Sequence, residues 1–409
     1  MREPRGTSFV DYLRVETVGG GILLAAAALA LVVANTPLSD AYDSFRHADL
    51  SFGPFHLDLA HWVSEGLLSL FFFVAGLEVK RELVVGELRE RRRAALPVVA
   101  AVAGMVAPAL VYLLVAWGAP GSGRGWAVPV ATDIAFALGV LAVARERYPA
   151  SLRVLLLSLA VVDDLGAILL IALLFASGVS VLPLLGAVAV FAAYAFLQRR
   201  RVTSPWLYVP LALLAWAFVH EAGIHATVAA VALGLLTRVR PDPGEEHSPA
   251  ERLEHRLQPW SAGLVVPLFA FTAAGVTLSG EVLRATLSDR VALAVFAGLV
   301  LGKVFGIAGG VAAARGLGVV SMPEGVRTYD TVCLGALGGV GFTVSLLLAE
   351  LAFSGAQAER AKTAVLAASI FASVLASVLL HVRRETEADG PLPSRAAVQG
   401  AGRKADDRR

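Results

Sequence analysis

Long runs of apolar residues recur along this chain and limit what it can fold into. A helix needs about 20 mostly apolar residues to cross the ~30 Å hydrocarbon core of a bilayer. About twelve such stretches occur, and they begin near Gly19, His61, Ala95, Trp126, Ser151, Leu182, Trp206, Glu221, Trp260, Val291, Thr328 and Ala361. Only 17% of the residues are charged, against about 25% in soluble domains. The sequence therefore predicts an all-α membrane protein with about 12 transmembrane helices.

Basic residues alternate between the two sides of the predicted spans. Arg and Lys collect in every second connection, most densely at residues 80–93, whereas the other connections hold zero to two each. Because basic loops stay in the cytoplasm, both termini are predicted to be cytoplasmic. This alternation also differs from the continuous basic face expected of a nucleic-acid-binding protein.

The segments outside the spans are short and of three kinds. Residues 1–18 are predicted to form a cytoplasmic arm, residues 19–382 the transmembrane domain, and residues 383–409, rich in Pro, Gly, Ala and mixed charge, a disordered cytoplasmic tail. The longest outer connection alternates polar and apolar residues between Asp49 and Asp58. That alternation predicts a short outer β-hairpin.

Four ionisable side chains lie deep in the apolar spans: Asp133 in span 4, Asp163 and Asp164 in span 5, and Lys303 in span 10. Charges at this depth are costly and usually mark a functional site. Asp133 alone could be a structural partner of a lysine or of backbone amides. Adjacent helical residues point about 100° apart, so one of the paired aspartates can face a water-filled cavity while the other contacts Lys303. The set favours a cation site.

Two further ionisable candidates lie nearer the outer ends of spans. Glu65 is in span 2, and His225 follows span 7. Either could serve the site, but each also has a structural interpretation. A histidine near a helix end is often a capping or packing residue.

The backbone is predicted to be interrupted in two spans. Pro129 and the polar step Thr132–Asp133 break span 4, and a run of glycines that includes Gly338 and Gly341 breaks span 11. Paired interruptions at membrane depth indicate a transporter site. Spans 3 to 5 and 10 to 12 are an odd number of helices apart, so the two three-helix units run oppositely and predict an inverted repeat with two discontinuous helices. Close packing through small residues is the alternative for span 11.

At these residues the sequence resembles the NhaA-type sodium/proton antiporters, a standard example of inverted-repeat transporters. The matching motifs, which extend from span 2 to span 11, are Gly76-Leu-Glu-Val-Lys-Arg-Glu-Leu83, Ala131-Thr-Asp-Ile-Ala-Phe-Ala-Leu-Gly-Val140, Asp163-Asp-Leu-Gly166, Gly223-Ile-His-Ala-Thr227, Arg252-Leu-Glu-His255, Gly302-Lys303 and Gly341-Phe-Thr-Val-Ser345.

The resemblance implies an electrogenic, pH-regulated Na+(Li+)/H+ antiporter of the bacterial inner membrane that serves sodium and pH homeostasis. Asp163 and Asp164 would exchange cation and proton, with Thr132 and Asp133 lining the site and Na+ bound by Asp164, Asp163 and Thr132. Asp133 would offset the positive ends of half-helices, and Lys303 the negative ends. The expected partners are sodium or lithium ions, protons, membrane lipid and a second copy in a homodimer, with no cofactor, no enzymatic activity and no nucleic acid.

The resemblance also implies a cytoplasmic cluster that governs the pH response. Its members are Glu78, Arg81, Glu82, Glu254 and His255. Read without the resemblance, this cluster is ordinary positive-inside charge. The chain departs from well-known members at Ser64–Glu65, where they have Asn-Asp, and at Gln258, where they have a second histidine. The pH profile is therefore the least transferable property.

Two other functions would need features that this sequence lacks, and a third would not have the aspartate pair that this sequence has. An intramembrane aspartyl protease needs two aspartates that share a proton, has no use for Lys303, and would carry a Gly-x-Gly-Asp motif, which is absent. A proton-coupled carrier of an organic solute would need an intramembrane arginine or an aromatic pocket. A channel would lack the fixed proton-exchange pair.

Overall fold

The computed structural model describes residues 16–51, 57–143, 150–176, 178–241, 244–323 and 325–388. These residues form helices and no β-sheet. Most of the predicted N-terminal arm and C-terminal tail lies outside the described residues. The helices are α1 (Glu16–Ala34), α2 (Ser39–Arg46), α3 (Leu59–Val84), α4 (Arg91–Val115), α5 (Ile134–Val143), α6 (Ala150–Leu174), α7 (Val181–Arg199), α8 (Pro205–Glu221), α9 (Thr227–Leu236), α10 (Pro249–Trp260), α11 (Val266–Ala273), α12 (Gly280–Ser288), α13 (Arg290–Gly316), α14 (Thr328–Gly338), α15 (Phe342–Ala352) and α16 (Gly355–Ala388).

Among the described residues, 6 helices are long and apolar enough to cross a membrane, namely α3, α4, α6, α7, α13 and α16. The number rises to 8 when two bent pairs each count as one span: α1 with α2, bent by 120°, and α14 with α15, bent by 49°. The remaining predicted spans fall on shorter helices, α5, α8, α9 and the α10–α11 segment. The protein is thus a helical, multi-pass membrane protein, and length alone does not give all twelve predicted spans.

Two interrupted segments cross in the interior. In the first, a 3-10 turn over Gly125–Val130 gives way to extended backbone before α5 begins at Ile134. In the second, α14 ends at Gly338 and α15 begins at Phe342. The Asp133 amide donates to the Val340 carbonyl at 2.6 Å. Each segment thus supplies a partner for backbone groups that the other leaves without an intrahelical bond, at the two places where the sequence predicts interruptions.

Glycines let α14 approach α13 closely. A Cβ atom on Gly335 would lie 2.7 Å from the Val304 Cα and 3.1 Å from the Lys303 carbonyl oxygen. A Cβ atom on Gly339 would lie 2.7 Å from the Leu299 carbonyl oxygen. Close packing through small residues therefore occurs at the same place as the break. The glycine run thus both interrupts the helix and lets it pack closely against α13.

The longest outer connection contains one isolated antiparallel bridge, between Asp49 and Asp58. Asp58 also caps the start of α3 and accepts hydrogen bonds from His47 Nδ1 at 3.0 Å and His61 Nδ1 at 2.7 Å. Residues 52–56 lie outside the described residues, and the described part of this connection forms no strand. The β-hairpin therefore stays a prediction.

We expect Gly335→Ala to destabilise the protein, because the added methyl group meets backbone atoms of α13 that cannot rotate away. Overpacking of this kind costs about 1–3 kcal/mol. Gly309→Ala is the matched control, since a Cβ atom on this α13 glycine meets nothing within 4 Å. Thermal unfolding in detergent should show a lower midpoint for Gly335→Ala alone. Equal midpoints for the two variants would contradict the close approach.

Candidate functional site

The Lys303 side chain lies at the centre of the crossing and is fully buried, with 0% of its surface exposed. Its Nζ donates to Asp163 Oδ2 at 2.9 Å and to Thr132 Oγ1 at 2.9 Å. The Thr132 hydroxyl in turn donates to the Gly338 carbonyl at 2.9 Å, where α14 ends. Lys303 therefore connects α13 to α6 directly, and through Thr132 it reaches the negative, C-terminal end of a half-helix.

Asp133 lies between the positive ends of two half-helices. Its Oδ1 accepts from the Phe136 amide in the first turn of α5 at 3.0 Å, and its Oδ2 accepts from the Thr343 amide in the first turn of α15 at 3.1 Å. A carboxylate at this position satisfies amides that the helices cannot satisfy themselves and offsets the partial positive charge of both ends. Asp133 and Lys303 thus lie at helix ends of opposite sign.

Asp163 and Asp164 have different surroundings although they are adjacent on α6. Asp163 is 1% exposed, and while its Oδ2 is bound by Lys303, its Oδ1 is buried without a hydrogen-bond partner. Asp164 is 9% exposed and forms no hydrogen bond or ion pair with the described residues. One fixed carboxylate with a free oxygen and one unpaired carboxylate therefore lie side by side. Oxygen atoms in this state can accept either a proton or a hard cation.

A cavity of about 690 Å³ opens near the inner end of α6, on the side predicted to be cytoplasmic. We call it the inner cavity, and its lining includes Glu82, Arg89, Arg93 and Ser158. Ser158 precedes Asp164 by six positions on α6, which corresponds to roughly 9 Å along the helix axis at 1.5 Å per residue. The inner cavity therefore ends roughly 9 Å along α6 from Asp164.

The predicted cytoplasmic cluster is only partly assembled. Arg81, near the inner end of α3, donates from one Nη to both carboxylate oxygens of Glu254 at 3.0 Å, and His255 is close enough to Glu254 to interact with it electrostatically. Glu78 interacts electrostatically with Asp164. Glu82 points elsewhere: it accepts from the Glu87 amide at 3.1 Å and lines the inner cavity. The structure therefore shows a direct contact between Arg81 and Glu254.

Local sequence explains how Glu254 is held. In the capping box at the start of α10, Ser248 Oγ accepts from the Glu251 amide at 3.2 Å while Glu251 Oε2 accepts from the Ser248 amide at 2.7 Å. The first turn of α10 is thereby fixed, and Glu254 faces α3 from the next turn. Burial raises the pKa of the Glu254 carboxyl above its ordinary value, although the Arg81 guanidinium acts in the opposite direction.

Glu65 and His225 lie together near the outer end of the fold, but they have different partners. Glu65 Oε2 contacts His220 Nδ1 at 2.8 Å, and the indole of Trp216 donates to the Glu65 carbonyl at 3.0 Å while its ring stacks on that of His220. The His225 ring instead bonds the Thr227 hydroxyl at the start of α9, 2.8 Å away, as a packing histidine would. The contact between Glu65 and His220 was not predicted from the sequence, because the two residues lie on different helices far apart in the chain.

Gly338 and Gly341 lie at the break itself. The Gly338 carbonyl is the acceptor for Thr132, and a Cβ atom on Gly338 would lie 3.8 Å from both Thr132 Oγ1 and Lys303 Cδ. Gly341 immediately precedes α15. Gly338 thus borders the charged centre, whereas a Cβ atom on Gly341 would meet the side chains of Ser345 and Leu299.

A multi-pass helical fold with a charged centre at the crossing of two interrupted segments defines a membrane transporter of the broken-helix kind. Residues 10–380 match the family described as Na+/H+ antiporter 1. The chain belongs to this Na+/H+ antiporter family.

Relatives and a solved structure agree with this assignment. The protein named Na(+)/H(+) antiporter NhaA 1 of Saccharopolyspora erythraea is 60% identical over 380 residues, which cover 92% of each chain. Na(+)/H(+) antiporter NhaA 2 of Rhodococcus jostii is 55% identical over 403 residues, or 95% of this chain and 98% of the relative. The sodium proton antiporter MjNhaP1 from Methanocaldococcus jannaschii is 16% identical, with a TM-score of 0.51 over 90% of this chain and 97% of that one, and has a similar fold.

We expect Thr132→Val to destabilise the protein by about 1–3 kcal/mol, because the change removes a buried hydroxyl and leaves both the Gly338 carbonyl and one Lys303 hydrogen unsatisfied. Thr132→Ser keeps the hydroxyl and should have a much smaller effect. Thermal unfolding in detergent without sodium measures both. A valine variant as stable as the serine variant would show that this chain of hydrogen bonds is unimportant for the crossing.

Proposed function

We propose that this protein is an electrogenic, pH-regulated Na+(Li+)/H+ antiporter that exchanges cations for protons at Asp163 and Asp164. The observation that carries the proposal is the state of these two carboxylates: Asp163 has one oxygen held by Lys303 and one without a partner, and Asp164 has no partner among the described residues. Family membership and the names of the relatives support sodium and protons as the transported ions.

The proposed chemistry is competition for the same oxygens. A hard cation such as Na+ is bound by oxygen ligands, and a carboxylate that binds it must be deprotonated. Sodium would be a transported ion, held by the two aspartates, the Thr132 hydroxyl and water. Proton binding at Asp164 removes the charge that holds the cation and releases it.

The inner cavity supports access to the pair from the cytoplasm, because it ends near Ser158, about two helical turns before Asp164. A change of access to the outer side would follow from movement of the crossing segments as a body. Hydrogen bonds join these segments in both directions: the Asp133 amide donates to the Val340 carbonyl, and the Thr343 amide donates to Asp133 Oδ2. These bonds favour such a joint movement.

Electrogenic exchange requires that more proton charge than cation charge crosses per cycle. The two carboxylates and Lys303 can each bind a proton, whereas a single Na+ carries one positive charge. When a cation binds Asp163, it competes with the Lys303 ammonium for the same carboxylate, so the lysine can lose its partner during the cycle. Lys303 would then act either as a structural counter-charge or as a proton carrier.

We also propose how the helices cross the membrane, from their lengths and from the positions of the basic residues. The shorter helices α5, α8, α9 and α11, together with the bent pairs α1–α2 and α14–α15, would bring the six long helices to twelve crossings. Spans 3 to 5 and 10 to 12 would be inverted repeats, with both termini in the cytoplasm. The basic residues at the inner ends of α3 and α4 support this orientation. Residence in the bacterial inner membrane and a homodimer stay predictions.

We expect Asp164→Asn to abolish sodium-driven proton movement, since a neutral amide cannot exchange a proton, and Asp163→Asn to reduce it nearly as far. The measurement is the internal pH of acid-loaded vesicles that contain the purified protein, followed with a dye after sodium addition. Cys333→Ser is the control, because this buried cysteine has no role in the mechanism. Sodium-driven pH changes at the wild-type rate in Asp164→Asn would overturn the site assignment.

Regulation by pH is proposed to act through the Arg81–Glu254 pair. Burial raises the pKa of Glu254, so on acidification Glu254 is protonated at a higher pH than an exposed glutamate, and its protonation breaks the pair. Glu254→Gln imitates the protonated form, so the midpoint of activation should move to higher pH with an unchanged maximal rate. A partly exposed ion pair contributes up to about 1 kcal/mol and one pH unit corresponds to about 1.4 kcal/mol, so we expect a shift of about half a pH unit.

Rates from pH 6 to 9 decide this point, and Glu246→Gln in the exposed loop before α10 is the control. If Glu254→Gln lowers the maximal rate and leaves the midpoint in place, Glu254 belongs to the ion path and not to a sensor.

A further inference from the structure

A second cavity lies at the opposite face, where α1 ends and α16 begins. We call it the outer cavity; its volume is about 650 Å³. It is separate from the exchange site, and none of the residues assigned to transport or to the pH response lines it. Its charged lining residues are Asp40, Asp43, Arg46, Glu281, Glu359 and Arg360.

Arg46, the last residue of α2, is buried in the wall of the outer cavity and is only 9% exposed. Its Nε has no hydrogen-bond partner, and the guanidinium forms no ion pair with any carboxylate of the described residues. Among the described residues, its guanidinium lies over the face of the Tyr42 ring, 5.5 Å from the centroid. Buried charges are normally paired, because removing them from water is costly. Arg46 therefore presents unused hydrogen-bond donors to an anionic group.

Some of the other charged side chains of the outer cavity form ion pairs, and others do not. Arg360 pairs with Asp289 at 3.0 Å, and Glu359 lies 3.5 Å from Lys362. The side chains of Asp40 and Glu281 form no ion pair within the described part of the chain. Asp43 Oδ1 lies 3.6 Å from His47 Nε2. Within the described part of the chain, the cavity thus offers one unpaired cation and two unpaired carboxylates, a set that suits a ligand carrying both charges.

Apolar surface adjoins the outer cavity. Helix α12 contributes Val282 and Ala285 to its lining, while Leu283 and Leu287 of the same helix are exposed, as is Phe45 of α2. One face of α12 therefore lies on the protein, and the opposite face exposes the side chains of Leu283 and Leu287. A charged cavity edged by exposed apolar side chains suits an amphiphile whose acyl chains stay in the membrane.

We propose that the outer cavity binds a phospholipid with a zwitterionic, primary-ammonium headgroup of the phosphoethanolamine type, its phosphate on Arg46 and its ammonium on Asp40 and Glu281. Guanidinium recognises phosphate through charge-assisted, often bidentate hydrogen bonds. The carboxylates disfavour a headgroup with net negative charge. A primary ammonium donates hydrogen bonds to these carboxylates, whereas the quaternary ammonium of a choline headgroup cannot.

The test is lipid retention by the full-length protein. Detergent-purified protein is exposed to equimolar phosphatidylethanolamine, phosphatidylglycerol and phosphatidylcholine, and bound lipid is read by native mass spectrometry. We expect wild-type protein to retain phosphatidylethanolamine above the other two, and Arg46→Gln to retain about tenfold less of it, since a hydrogen bond to a charged group contributes that much. Arg284→Gln, an exposed arginine on α12 outside the cavity lining, should behave as wild type.

Asp40→Asn is the second variant, because it tests binding of the lipid ammonium group even if Arg46→Gln folds poorly. It should reduce the preference for phosphatidylethanolamine over phosphatidylcholine. Equal retention of the three lipids by wild-type protein would overturn the proposal, as would unchanged retention in both variants. Full displacement of the lipid by soluble phosphoethanolamine at equal concentration would assign the cavity to a soluble zwitterion and overturn the lipid assignment.

Discussion

The buried ammonium of Lys303 holds together the crossing at the centre of this structure. An unpaired positive charge with no access to water would destabilise the fold strongly, so Asp163 and Thr132 must stay bound to Lys303 as long as it is charged and no cation has taken its place on Asp163. These two bonds connect α13 to α6 and to the broken backbone before α5. Lys303 thus fixes one oxygen of Asp163, and the other oxygen and the neighbouring Asp164 remain available for cation or proton.

The same arrangement distinguishes ion exchange from proteolysis. An aspartyl protease needs two carboxylates that share one proton, whereas here Lys303 already occupies one oxygen of Asp163. Asp133 has its own function in the fold, since it accepts amides from the first turns of both α5 and α15. The crossing is therefore balanced electrostatically by one carboxylate and one ammonium, which supports our proposal that the α6 pair exchanges cation and proton.

Much of the site could be predicted from the sequence, because charges in apolar spans are rare and costly. Asp133, Asp163, Asp164 and Lys303 are recognisable in this way, and so are the breaks near Thr132 and Gly338. The connection from Lys303 through Thr132 to the Gly338 carbonyl could not be predicted, since it joins residues far apart in sequence. Span number was less predictable, because α5, α8 and α9 are shorter than a full crossing. The unpaired guanidinium of Arg46 carried no signal in the sequence, since only the fold shows which charges lack partners.

Calorimetric titration of the purified protein with sodium can show whether cation and proton compete for Asp163 and Asp164. Titrations in buffers of different ionisation enthalpy measure the protons released as sodium binds. The account predicts net proton release, and an apparent affinity that falls about tenfold for each pH unit below the pKa of the pair if one proton competes. Sodium binding with the same affinity at every pH, and with no release of protons, would contradict it.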